Sequence, residues 1–203
     1  MAEMGYDGNV GDPLPTPAVT NNPPEHTLVA EEWKHRPPYL IQSTQEFGEI
    51  KWRGSCQCQK ISYSLKGKPI RATFSHARST QIMHGAPVEW AALVHKSDIS
   101  FDNGCNGLSF SSSSDLPASP SVSCESCHTP IMHEGKGSTC SIFPPLIKFK
   151  GSMDEQRSQR DLFKPNCHIF YAQRMMDIPD GITKWSDLDE SSQRLDDYGN
   201  PIE

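Results

Sequence analysis

A mainly β fold of short antiparallel strands is predicted by three features of this 203-residue sequence. Around Gly54, Ile50, Trp52, Ile61, Tyr63 and Leu65 alternate with polar residues, which is the period of a strand with one buried face. Seventeen prolines and fourteen glycines interrupt the chain often enough to favour short elements over long helices. Four cysteines fall in two close pairs, Cys56-Gln57-Cys58 and Cys124-Glu125-Ser126-Cys127, and would hold the base of such a fold shut.

The spacing of those pairs matches the ligands of one tetrahedral zinc ion. Four thiolates at about 2.3 Å complete the metal's shell and leave no position open for chemistry, so the site reads as structural. Two disulfides, or unrelated buried cysteines, are the competing readings. A Cys-x-Cys disulfide is strained, and the total of seven cysteines is odd, so reduced thiols around one Zn2+ fit better.

Taken in order, residues 1–30 are rich in glycine, proline and small polar residues, and are expected to be a disordered leader. Residues 31–49 carry Trp33, Tyr39, Leu40, Ile41 and Phe47 around Pro37-Pro38; they read as an extended arm or as a mobile tail. The domain proper spans 50–185. After the first strands and the Gly67-Lys68-Pro69 turn, Ile70–Phe74 and Trp90–Val94 read as strands, the second turning at His95–Asp98. Residues 102–123, with Ser111–Ser114 consecutive and prolines at 117 and 120, are expected to be mostly loop. Strands follow at Thr129–Met132 and Cys140–Phe143 around the Gly135–Gly137 turn. The charged stretch 151–162 suggests one or two helical turns, His168–Tyr171 a last buried strand, and 186–203 a solvated acidic tail.

A net charge of −6 argues against a general nucleic-acid binder, which needs clustered Lys and Arg. The sequence has no apolar run long enough to span a bilayer and no signal-peptide order, so a soluble cytoplasmic protein with no membrane partner is expected. Glycine-rich phosphate loops, G-x-S-x-G and H-E-x-x-H are absent from the sequence, which disfavours kinase, serine hydrolase and zincin chemistry. Oligomeric state is not legible.

Several stretches together resemble the glutathione-dependent formaldehyde-activating enzyme and centromere protein V superfamily. They are Gly54–Cys58, Gly85-Ala86-Pro87, Cys124–Pro130, Lys164–Phe170 and Asp180-Gly181. The closing stretch Ile178–Ser192 is similar to the fungal branch. The resemblance implies a β-tent fold, small sheets of short antiparallel strands around a structural zinc, with Cys56, Cys58, Cys124 and Cys127 as its ligands. It also implies carbon–sulfur lyase chemistry at a second, three-cysteine zinc just before Gly85-Ala86-Pro87.

At that second site this sequence reads Ser75-His76-Ala77-Arg78-Ser79-Thr80. Ser75, Ala77 and Thr80 stand where the resemblance implies cysteines, and neutral hydroxyls are poor zinc ligands. One zinc, and loss of the family activity, are therefore expected. Gln59 and His128 replace residues that are often glycine in the family, which bears on turn geometry. Two functional classes follow. In the first, the protein keeps the scaffold as a binding or structural module. In the second, the former pocket does metal-independent acid–base work on a small-molecule substrate, as a cyclase, isomerase or dehydratase would. There His76 would carry the proton, Ser75 and Thr80 would hydrogen-bond, and Arg78 or Glu89 would assist. Cys105, Cys140, Cys167, His84, His95, His133 and His168 show no recognised ligand spacing and are read as packing or surface residues.

Overall fold

The computed structural model describes residues 32–113, 116–135 and 137–202; the leader expected at 1–30 lies outside them. Where apolar and polar residues alternate, strands form: β1 (Trp52–Ser55), β2 (Ser62–Leu65), β3 (Arg71–Ser75), β4 (Glu89–His95) and β5 (Ile99–Phe101). Then come β6 (Leu108–Ser113), β7 (Leu116–Cys124), β8 (Pro130–Glu134), β9 (Thr139–Ile142), β10 (Cys167–Ile169), β11 (Thr183–Trp185) and β12 (Arg194–Leu195). Among the described residues three short α-helices interrupt them: α1 (Thr44–Phe47), α2 (Arg78–His84) and α3 (Met153–Asp161). Ser43 with Glu46, and Ser152 with Glu155, close reciprocal capping boxes that start α1 and α3.

The fold is mainly β, as the sequence predicts. β1, β2 and β5 make an antiparallel sheet, and the other nine strands make a second one in the order β12-β11-β10-β3-β4-β9-β8-β7-β6. This large sheet departs from the expected small antiparallel ones, because β10 runs parallel to both β3 and β11. Tyr63, Leu65 and Phe101 of the small sheet share one apolar cluster with Val94, Ile131, Met132 and Ile142 of the large one. Gly54 lies opposite Tyr63 in the β1–β2 ladder, and a methyl group there would sit 2.1 Å from the tyrosine ring. No other residue fits at that position without moving the ring.

Residues 33–49 lie against the strands. Tyr39 stacks on Phe101 at 5.7 Å and donates its hydroxyl to Glu134 Oε1 at 2.5 Å, and Phe47 is buried.

Three sequence expectations need correction. The serine-rich stretch 102–123 is not mostly loop but the β6–β7 hairpin, and β7 also pairs with β8. Its serines alternate with apolar residues closely enough for strand pairing, which buries Val122 and Ser121. β10 is not the last strand. Nor is the acidic stretch simply solvated: β12 pairs with β11, and Leu195 is buried. No helix among the described residues is long and apolar enough to cross a membrane.

Candidate metal centre and neighbouring polar clusters

Cys56 follows β1 and Cys124 ends β7, so the two cysteine pairs join the small sheet to the large one. Their four sulfurs lie within 4.8 Å of one another. Cys56 and Cys58 Sγ are 3.5 Å apart, and Cys58 and Cys124 Sγ 3.8 Å. Sulfurs around a tetrahedral ion at about 2.3 Å stand about 3.8 Å from each other, so the cluster has the size a zinc-type ion requires.

The two knuckles are built alike. Gln59 N–H donates to Cys56 O and His128 N–H to Cys124 O, at 3.1 and 2.9 Å. Immediately after the second cysteine of each pair, Gln59 and His128 take left-handed φ of 62° and 56°. The glycine-like turn is thus kept with residues that pay a steric penalty for it. Gln59→Gly and His128→Gly, both at exposed positions, are expected to raise stability by about 0.5–1 kcal/mol each, read as an increased denaturant midpoint. A lowered midpoint would show that the side chains contribute something the turn geometry does not reveal.

Without a cation the sulfurs share their protons unequally. The Thr129 hydroxyl, with neighbouring backbone N–H groups, draws the Cys127 thiol down to about 5. At Cys58 the Lys60 backbone hydrogen bond lowers the pKa, but the surrounding sulfurs outweigh it and push the thiol up to about 12. Four thiolates in one cluster therefore need a positive ion.

The residues at 75–80 occupy the end of β3 and the first turn of α2. Ser75 is buried, and its Oγ accepts the Ala77 N–H at 3.4 Å. Thr80 Oγ1 donates to Ala77 O at 2.9 Å. Arg78 is exposed and reaches Gln81 Oε1 at 3.4 Å, and the Gln81 amide donates to His76 O at 2.8 Å. His76 itself is fully buried. Its Nε2 is 2.8 Å from His168 Nδ1, whose Nε2 lies 2.9 Å from Asp180 Oδ2. Asp180 also accepts from Lys184 Nζ at 2.8 Å, and Lys184, 1% exposed, reaches Asp197 at 2.7 Å. Burial, reinforced by His168, Lys184 and Arg174, pushes the His76 pKa down to about 4, so its imidazole is neutral near pH 7. Its Nδ1 is buried with no hydrogen-bond partner. His168 and Asp180 belong to the same polar chain, which residue spacing alone did not reveal.

Glu89 does not face His76. It is the cross-strand neighbour of Ser75, yet its Oε2 stands 2.8 Å from His84 Nε2 and 2.9 Å from His133 Nε2. Burial tends to raise the Glu89 pKa, but the two imidazoles outweigh it and hold the carboxyl at about 2. His84, read as an isolated residue in the sequence, is brought here by α2 and the left-handed turn at Gly85, and His133 by β8. A cavity of about 300 Å3 opens beside this cluster, with His84, Glu89, Trp90, Phe143 and Leu146 in its wall.

No curated protein matches the chain. A solved structure of a Rhodobacter sphaeroides protein is similar at 13% identity, covering 50% of this chain and 93% of the other, with a TM-score of 0.41. The profile of the glutathione-dependent formaldehyde-activating enzyme family matches residues 51–173, a span that holds both cysteine knuckles and the 75–80 segment. The chain belongs to that family.

Proposed function

We propose that Cys56, Cys58, Cys124 and Cys127 hold one structural zinc ion. We further propose that the protein presents a small-molecule pocket on this zinc-closed scaffold without performing the family's glutathione-adduct chemistry. The observation that carries this reading is the state of the 75–80 segment. The hydroxyls of Ser75 and Thr80 are taken up by the backbone that starts α2, and Ala77 has no donor. Three thiolates would supply charge and an open coordination position there; these side chains supply neither. Thiolate ligands also imply a reducing compartment, the cytoplasm, and the closing stretch Ile178–Ser192 supports a fungal origin.

The test is turnover of S-hydroxymethylglutathione by the purified chain, compared with a variant carrying cysteine at 75, 77 and 80 together. Loss of Lewis-acid stabilisation worth several kcal/mol reduces the rate by orders of magnitude, at tenfold for each 1.36 kcal/mol. The native chain is expected to show no enzyme-like turnover, and the triple variant to gain both a further thiolate-bound metal and activity. Brisk turnover by the native chain would overturn the reading.

A second reading rests on the unpartnered His76 Nδ1. A neutral imidazole backed by His168 and Asp180 is oriented as a proton acceptor, as an acid–base enzyme requires. A small molecule bound against His76, with turnover lost in His76→Ala, would favour it.

A further inference from the structure

His84, Glu89 and His133 bring two imidazole nitrogens onto one carboxylate oxygen, and all three donor atoms lie within 4.8 Å of one another. His133 Nδ1 is 2.9 Å from Ser121 Oγ, and the Ser121 hydroxyl in turn donates to Met83 Sδ at 3.0 Å. With its hydroxyl hydrogen on the methionine sulfur, Ser121 Oγ is open to accept from His133 Nδ1–H, the tautomer that frees Nε2 for a metal. In that tautomer the lone pair of Nε2 faces Glu89; in the other, Nε2–H donates to the same carboxylate. His84 Nε2 is buried at 2.8 Å from the same oxygen, but the approach is off-line and the nitrogen has no hydrogen-bond partner. A cation among the three donor atoms would be ligated by both nitrogens and the oxygen.

We propose that His84, Glu89 and His133 form a second metal site, for a divalent first-row ion of the zinc or iron(II) class, with open coordination positions. Two histidines and one carboxylate are the donor set of open-position zinc sites and of mononuclear iron(II) sites. The nitrogen-to-oxygen separations of 2.8 and 2.9 Å fit neighbouring ligands of an octahedral ion at about 2.0–2.1 Å, which span about 2.9 Å; a tetrahedral zinc would part them to about 3.3 Å. The surroundings serve the same end. Ser121 stands behind His133 Nδ1, at 2.9 Å, as a hydrogen-bond partner behind a metal ligand does. Phe143 lies edge-on to both rings, at 5.0 and 5.1 Å, and keeps them apart from bulk water. His84 and Glu89 stand at the wall of the 300 Å3 cavity, so a small molecule with an oxygen or nitrogen donor could complete the shell. The site uses no cysteine and is independent of the proposed structural zinc. It raises the expected metal capacity from one ion to two.

Cobalt(II) is the probe. Added to the chain as purified, with its cysteine site filled, one further Co2+ per chain is expected to bind with visible d–d bands and no sulfur-to-cobalt charge transfer. Glu89→Gln and His133→Ala should each weaken that binding by about 100-fold or more, and Ser121→Ala by about 10–100-fold. Retention of cysteine-bound zinc shows that each variant has folded; if one has not, His84→Gln replaces it, since that side chain is partly exposed and ends the short helix α2. Paramagnetic shifts on His84 and His133 ring protons in the unaltered protein give a reading that needs no variant. Absence of saturable Co2+ binding, charge-transfer bands on the second ion, or unchanged affinity in Glu89→Gln would each overturn the proposal.

Discussion

Removing metal from the four-cysteine centre with a strong chelator is expected to unfold the domain, and Cys124→Ser is expected to yield unfolded or aggregated chain. Cysteine zinc centres contribute about 10–16 kcal/mol of apparent binding free energy, against a total stability of about 5–15 kcal/mol for an ordinary domain. Here the dependence is sharpened by position. Cys56 and Cys124 are buried in the same cluster as Ile61 and Leu108, and the knuckles join the ends of strands from different sheets. Without the ion, clustered thiolates repel one another and their protonated forms sit in a core shaped for charge. Circular dichroism and zinc release, followed together, check this: the two should move in step. A native spectrum persisting after complete zinc loss would show that the apolar core closes the fold unaided.

Acidification from pH 7 to 4 is expected to cost on the order of 3 kcal/mol through His76 alone. An imidazole in the unfolded chain takes up its proton near pH 6.5, whereas burial first, then the charges of His168, Lys184 and Arg174, hold the folded His76 down to about 4. Between those values the unfolded state binds more protons, so stability rises with pH through that window. The contribution is fully present above pH 6.5, shrinks as pH falls, and levels off below 4. Asp180 extends the loss further. Burial tends to raise its pKa, but Lys184 and His168 hold it at about 2, so its contribution is complete above the ordinary carboxylate range and disappears as pH falls towards 2. Urea midpoints measured across pH for the native chain and for His76→Gln separate the His76 effect from proton competition at the cysteines, which acts equally on both. The slope between pH 6.5 and 4 should flatten in the variant. Equal slopes would remove His76 from the account.

The elements best read from the sequence were those whose signal is local. Alternation gave β1 and β2, short apolar runs gave β3 and β4, and fixed spacing gave the cysteine centre, whereas β5 was not read. β6 and β7 were obscured because serine and proline read as loop, although β pairing depends on which face of a residue is covered. α2 gave no amphipathic signal in its seven residues, and its direction is what carries His84 to Glu89. Polar clusters assembled across strands leave no spacing to recognise: His76 meets His168 from 92 positions away, and His133 meets Glu89 across 44. Such sites come from sheet order. The crossover that sets β10 beside β3 is the kind of non-local pairing that neighbouring residues do not specify.

The strand order also places the boundary of the smallest self-sufficient polypeptide. The family-matched span stops at residue 173, but Asp180, which receives His168, and Lys184, which neutralises Asp180, lie after it. The Tyr171 hydroxyl is itself anchored on Asp197 O at 2.7 Å. A fragment trimmed to the family span would keep a buried histidine pair and lose the acid and the ammonium that balance it, while exposing the side of β10 that β11 covers. Excision, fusion and domain transplantation therefore have to carry the chain through Asp197 at least, and interchange of the family span alone between relatives would separate His168 from its counter-charge.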